Sequence, residues 1–201
     1  MKNIILLLSI LALHALHGCA TSGEYRYQFE PSGMTPDFSL VDSRPEADKK
    51  AEIMSSNISS DQYGIYRLGD NQVIPDRMLY LESRLSENQR YFPAQTEIIV
   101  KHFVIYNNMQ QIVKRNSAFG MFGALGVLAG AAAEKNESEA SIITELELEI
   151  NTRTYSSRVS MPYLIDKYNG VSKEEMGGTI KTSMDKAINE ILLVLDKSHK
   201  T

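Results

Sequence analysis

The chain has 201 residues and a formal charge of −4, with 21 Lys and Arg against 25 Asp and Glu, one Cys and no Trp. Mixed signs without a basic tract argue against nucleic acid as a partner, and a single Cys excludes intrachain disulfides and multi-thiolate metal sites. The length suits one domain around one core.

The N-terminus, MKNIILLLSILALHALHGCATSG, has one basic residue, Lys2, then an apolar run from Ile4 to Leu16, then the small residues Gly18 and Cys19. A charged start, an apolar middle and a small-residue exit mark an export signal over residues 1–18. The apolar run is about 13 residues, short of the roughly 20 that a spanning helix needs, so removal is expected rather than permanent anchoring. Residues 16–19, LHGC, resemble the lipobox of bacterial lipoproteins: Leu16, Gly18 and Cys19 stand where that family has them, and His17 is an unusual second residue. The alternative is an ordinary secreted protein with an accidental Cys in its leader. The resemblance implies lipidation of Cys19, with membrane lipid as a partner. Two acyl chains hold a protein at a bilayer, since each buried methylene contributes about 0.8 kcal/mol. Ala20 resembles the sorting pattern of Gram-negative lipoproteins bound for the periplasmic face of the outer membrane. The mature chain of about 180 residues, with a charge of about −5, then folds on its core alone, with no free thiol.

Residues 19–36 read as a tether containing Gly, Ser and Pro. Alternation of Tyr25, Tyr27 and Phe29 with Arg26, Gln28 and Glu30 equally suits an edge strand. A single α+β domain is expected over 37–201. Phe38 and Leu40 suggest a short strand that DSRPE ends, because Asp and Ser favour turns and Pro45 cannot sit in a central ladder. Asp42, Arg44, Glu46 and Asp48 form a charged cluster that could serve metal or phosphate chemistry. A solvated turn is the preferred reading, because no His stands nearby in sequence. QYGIYRLGDNQVI predicts a β-hairpin around Gly69 and Asp70. Pro75 fits the first position of a helix whose apolar residues are Met78, Leu79, Leu81 and Leu85.

TEIIVKHFVIYNN predicts a long central strand, with Ile98, Val100 and Val104 on one face and Ile99, Phe103 and Ile105 on the other. SIITELELEIN predicts a strand with Ile142, Leu146, Leu148 and Ile150 inward and Glu145, Glu147 and Glu149 outward. TRTYSSRVSMP can return beside it with Tyr155, Val159 and Met161 inward. Ser172 and Glu175 make a candidate capping box for a last helix with a stripe of Met176, Ile180, Met184, Ala187, Ile188, Ile191 and Leu195. The sum is an α+β fold, a mainly antiparallel sheet packed by two principal helices, with an apolar insertion between two strands.

That insertion, residues 117–133, is Gly-rich and flanked by charge. As a helix it would measure about 25 Å, just under the ~30 Å of a hydrocarbon core. Gly120, Gly123, Gly126 and Gly130 would then line one broad groove of the small-xxx-small kind, with Phe122 and Leu128 beside it. Three readings stay open: a cover over the domain's own sheet, a segment dipping into the membrane, and a self-association surface.

The lipobox, SLVDSRPE, the long strand, the pair SIITELELEI and TYSSRVSM, and MGGTIKTSMDKAINEIL together resemble the YajG-type family of small bacterial lipoproteins. The Gly-rich insertion departs from that compact pattern and is similar to the membrane hairpins of lipoprotein secretion pores such as the curli exporter. Catalysis is not expected. The mature chain keeps His102 and His199, too few for a His-based metal site, and no nucleophile elbow, P-loop or dinucleotide fingerprint occurs. Ser55, Ser56, Ser59 and Ser60 read as loop, and Glu145, Glu147 and Glu149 as a solvent face rather than a glycosidase pair. No cofactor or metal is expected. The function that follows is a binding or assembly component of a cell-envelope complex, with a membrane-active oligomer built through 117–133 as the alternative. Its partners would be an envelope protein or further copies of itself.

Overall fold

The computed structural model describes residues 24–54, 65–109, 137–166 and 171–198. Within them the fold is α+β, a mainly antiparallel sheet with two helices. The strands are β1 (Tyr25–Arg26), β2 (Ser39–Asp42), β3 (Glu52–Ile53), β4 (Ile65–Leu68), β5 (Val73–Ile74), β6 (Glu97–Asn108), β7 (Glu137–Ile150) and β8 (Arg153–Asp166). The helices are α1 (Arg77–Ser86) and α2 (Lys173–Ser198). The main sheet runs β3-β4-β6-β7-β8, and β2 joins β6 in parallel. β1 and β5 form a separate parallel pair.

β7 and β8 pair over their whole length around the two-residue loop Asn151–Thr152. Ile142, Leu146, Leu148 and Ile150 are buried in one core cluster with Val159, while Tyr155 and Met161 pack against it, as the period of two predicts. The capping box of α2 forms in both directions: Ser172 N–H donates to Glu175 Oε2, and Glu175 N–H to Ser172 Oγ, each at 3.0 Å. Its predicted stripe is buried throughout.

β6 is central, but its faces differ from the alternation read above. Val100 pairs with Leu148 and His102 with Glu147, so Lys101 is an extra residue, a β-bulge. A bulge inverts the in–out parity beyond it. Ile98 and Val100 before the bulge, and Phe103 and Ile105 after it, therefore share the core cluster. Val104 turns to the opposite face.

Three further expectations are corrected. Gly69 and Asp70 do not turn a hairpin: β4 pairs with β3 and β6, a 3₁₀ turn spans Asp70–Gln72, and β5 pairs with β1. Gly69 is required there because an added Cβ would lie 2.7 Å from Ala51 N, where Asp70 N–H donates to Lys49 O. Pro75 is not the first helical residue. Asp76 is the N-cap of α1, its carboxylate accepting from Met78 and Leu79 N–H, and the Ile74–Pro75 bond is cis. The buried face of α1 carries Arg77, Tyr80, Leu81 and Leu85, whereas Leu79 is exposed.

Of the two readings of residues 19–36, the strand holds at Tyr25–Arg26, and residues 27–36 are irregular. Tyr25 pairs with Val73, Tyr27 is buried, and Phe29 packs on the core. Tyr27 and Phe29 both meet the Tyr80 ring edge-on, at 5.3 and 4.9 Å.

Candidate functional site

Cys19 and the segment 117–133 with Gly120, Phe122, Gly123, Gly126, Leu128 and Gly130 lie outside the described residues, as do Ser55, Ser56, Ser59, Ser60 and His199. The charged run Asp42–Asp48 is described, and it is a solvated turn only in part: Asp42 and Glu46 are exposed. Arg44 and Asp48 are buried. The Arg44 guanidinium binds two carboxylates at once, Nε and Nη2 to Asp42 at 2.9 Å and Nη1 and Nη2 to Asp70 at 3.1 and 3.0 Å. Paired planar contacts of this kind compensate the desolvation of a buried guanidinium. Burial lowers the Arg44 pKa, the bonds from Asp42 and Asp70 outweigh it, and the net shift is upward. The same bonds hold the Asp42 carboxyl down at about 2.

Asp70 also faces Arg77, whose Nε stands 3.0 Å from Oδ1 but off the line of a hydrogen bond. Arg77 instead donates to Phe103 O and Leu68 O at 3.2 and 2.8 Å. Its burial lowers its pKa to about 10, with Asp70 opposing. The network ties the end of β2, the following turn, the 3₁₀ turn, the start of α1 and the backbone of β4 and β6. It is structural: every charge in it is spent on another part of the chain.

The second cluster lies on the sheet face opposite the helices. The bulge at Lys101 places His102 there, between Asp48 Oδ2 on Nδ1 at 2.6 Å and Glu145 Oε2 on Nε2 at 3.3 Å. Glu145 in turn accepts from Arg158 Nε at 2.7 Å. Glu145 leads the upward shift of the His102 pKa, burial opposes it, and Asp48 adds to it. Asp48 is the nearer carboxylate and fixes the ring in place. The Glu145 pKa is lowered, first by His102 and then by Arg158 against burial. Beside this row a hollow of about 160 Å³ is lined by Met54, Ile65, Tyr106, Ile143, Glu145 and Arg158.

A general base needs a nitrogen free to take a proton from substrate. Here both ring nitrogens of His102 already meet carboxylates, which favours a resident imidazolium. The two acids sit on opposite sides of the ring, so they cannot converge on one metal ion, and among the described residues no three His, Cys, Asp or Glu side chains form a metal-holding group. The arrangement clamps the turn at Asp48 to β6 and β7.

Between the helices a cleft of about 260 Å³ is lined by residues including Phe29, Tyr80, Arg84, Lys181 and Asp185. Asp185 accepts from Tyr80 Oη at 2.5 Å and Lys181 Nζ at 2.9 Å, and pairs with Arg84. This too is an internal junction, α1 to α2.

Sequence reasoning found Asp42, Arg44, Asp48, His102 and Glu145 as residues but not their meetings. Asp70, Arg77 and Arg158 were missed as members. The available signal was parity: with a two-residue loop at 151–152, Glu145 and Arg158 must oppose each other.

Family models, curated proteins and solved structures offer no match to this chain. Among the described residues no helix is long and apolar enough to cross a membrane.

Proposed function

We propose that the protein is a lipoprotein anchored through acylated Cys19 at the periplasmic face of the outer membrane, with its α+β domain acting as a binding or assembly component of an envelope complex. The observation that carries this reading is the coincidence of one position: the only Cys of the chain stands at the exit of an export signal, within LHGC. The pattern likeness to YajG-type lipoproteins belongs to the same reading. The polar clusters support it from the other side, since their charges lock segments together and offer no unoccupied proton acceptor at His102. The interval from Cys19 to Tyr25 reaches at most about 20 Å when extended, so a domain that begins at β1 is held close to the lipid surface.

Mass spectrometry of the product purified from envelopes tests the anchor. The expected N-terminal peptide begins at Cys19 and carries acyl mass; an unmodified thiol or a retained leader would refute it. Crosslinking in intact envelopes followed by purification tests the assembly role, and recovery of the uncrosslinked chain alone counts against it.

A second reading, a membrane-active oligomer built through 117–133, is favoured by the uncharged run itself with its four spaced glycines. Removing 117–133 discriminates: an unchanged particle size and unchanged liposome partitioning sink it.

A further inference from the structure

The main sheet has two ends, and they are built differently. At one end β3 is two residues long. At the other, β8 runs for 14 residues with no strand beyond it among the described residues. Long exposed edges are templates for pairing, and proteins blunt them with short strands, charge or proline.

Which residues of β8 offer their backbone outward follows from the hairpin. Ile150 and Arg153 close the two-residue loop, so they form a hydrogen-bonded pair, and bonded and non-bonded pairs alternate from there. Arg153, Tyr155, Ser157, Val159 and Met161 therefore bond to β7. Thr154, Ser156, Arg158 and Ser160 present N–H and C=O to the free edge. Pro162 falls in the same outward set, where a proline costs the β7–β8 ladder nothing. It blocks the far third of the edge and leaves residues 154–160 open. Arg158, the one charge along this stretch, is already neutralised by Glu145.

We infer that this edge, residues 154–160, pairs antiparallel with the same edge of a second copy of the chain, about a two-fold axis at Ser157. That register opposes Ser156 to Arg158 of the copy and Thr154 to Ser160, using every outward residue for about eight hydrogen bonds. A register centred on Arg158 would face two guanidinium groups and set Thr154 against Pro162. One centred on Ser156 would leave Ser160 opposite the turn residue Thr152. On the helix side the Ser157-centred register sets Tyr155 against Val159 of the copy, an aromatic–β-branched pair of the stabilising kind.

The flanking helix fits the same axis. Glu190 of α2 accepts from Ser157 Oγ at 2.5 Å, and one turn on, Val194 is half exposed. The two-fold brings Glu190 near its own copy. This like-charge meeting limits the affinity and is a signature of the register. The interface is independent of both Cys19 acylation and residues 117–133, and goes beyond the anchoring reading.

The test uses the full chain carrying Cys19→Ser, in which no native thiol remains. Ser157 and its copy form a non-hydrogen-bonded pair with Cα atoms about 4.5 Å apart, within disulfide reach. Ser157→Cys is expected to run as a covalent dimer on a non-reducing gel after mild oxidation. Thr154→Cys, which faces Ser160 of the copy, is expected to give at least about tenfold less. Equal crosslinking at both positions, or none at Ser157→Cys, overturns the inference. By light scattering without the new cysteines, Ser156→Pro is expected to weaken dimerisation at least about tenfold, and Glu190→Gln to strengthen it. Pro162 shows that this parity accepts proline; should Ser156→Pro unfold, the crosslinking pair decides. A dimer that persists in folded Ser156→Pro, or that disappears only when 117–133 is removed, places association elsewhere and also overturns it. Neither outcome bears on acylation of Cys19.

Discussion

Asn151 and Thr152 both have positive φ, 50° and 64°, as a two-residue hairpin loop of the I′ type requires. Asn tolerates that region, but a β-branched residue there costs about 1–2 kcal/mol. Thr152→Gly is therefore expected to raise stability by roughly 1 kcal/mol after glycine's larger unfolded-state entropy is counted. The check is a higher urea midpoint at unchanged slope; a lower one would mean that the Thr152 hydroxyl bond to Asn151 O outweighs the strain. His102 sets a pH dependence. Its pKa is raised from 6.5, so its contribution is complete below 6.5 and is lost as pH rises through the raised value. Glu145 has the opposite sign: its pKa is lowered from 4.5, so its contribution is present above 4.5 and lost as pH falls. The wild-type urea midpoint should decline from about pH 6.5 upward, and His102→Gln should be flat in that window. An identical decline in both would remove His102 from the account. These residues were visible in the sequence, but 54 positions separate Asp48 from His102, and no local pattern announces such a meeting.

Elements were legible where one period ran unbroken. The stripe and capping box of α2 and the alternation in β7 and β8 are local properties, and the fold keeps them because each gives one apolar face to the same core. β6 was legible as a strand but not in its faces, since a bulge at an ordinary lysine is decided by the register with β7. α1 was misread for a related reason: Arg77 and Tyr80 look polar or amphipathic, yet their carbonyl and carboxylate partners come from β4, β6 and α2. Two adjacent glycines test how α2 meets β1. Ala favours a helix over Gly by about 1 kcal/mol, and nothing lies within 4 Å of a Cβ at Gly178, so Gly178→Ala should stabilise by up to about that amount. At Gly177 a Cβ would fall 1.8 Å from Arg26 O. Overpacking against backbone costs about 1–3 kcal/mol, and displacing β1 outweighs the propensity gain. Gly177→Ala is expected to lower the urea midpoint while far-UV helicity is kept. If both variants stabilise, β1 does not dock on α2.

At the scale of the whole molecule, the segment nearest the proposed anchor belongs to the domain. Tyr27 packs edge-on against Tyr80 and donates to Pro75 O at 2.9 Å. Tyr27→Ala should cost about 3 kcal/mol, as large-to-small core substitutions do, whereas in a free tether it would cost nothing; thermal and urea unfolding distinguish these outcomes. Two charge networks then stitch the periphery to the sheet, one through Arg44 and Asp70, the other through His102 and Glu145. By itself the sequence determined the α+β class, the β7–β8 hairpin and its inward residues, and the last helix with its cap. Those follow from residue spacing and local hydrogen bonding, which act within a few positions of the chain. Only the tertiary structure decided that 24–30 docks, that Lys101 is a bulge, and that Arg44 and Asp48 are buried while Asp42 and Glu46 beside them stay wet. A guanidinium or carboxylate can leave water only where partners from several elements converge on it, and that convergence is a property of the assembled fold.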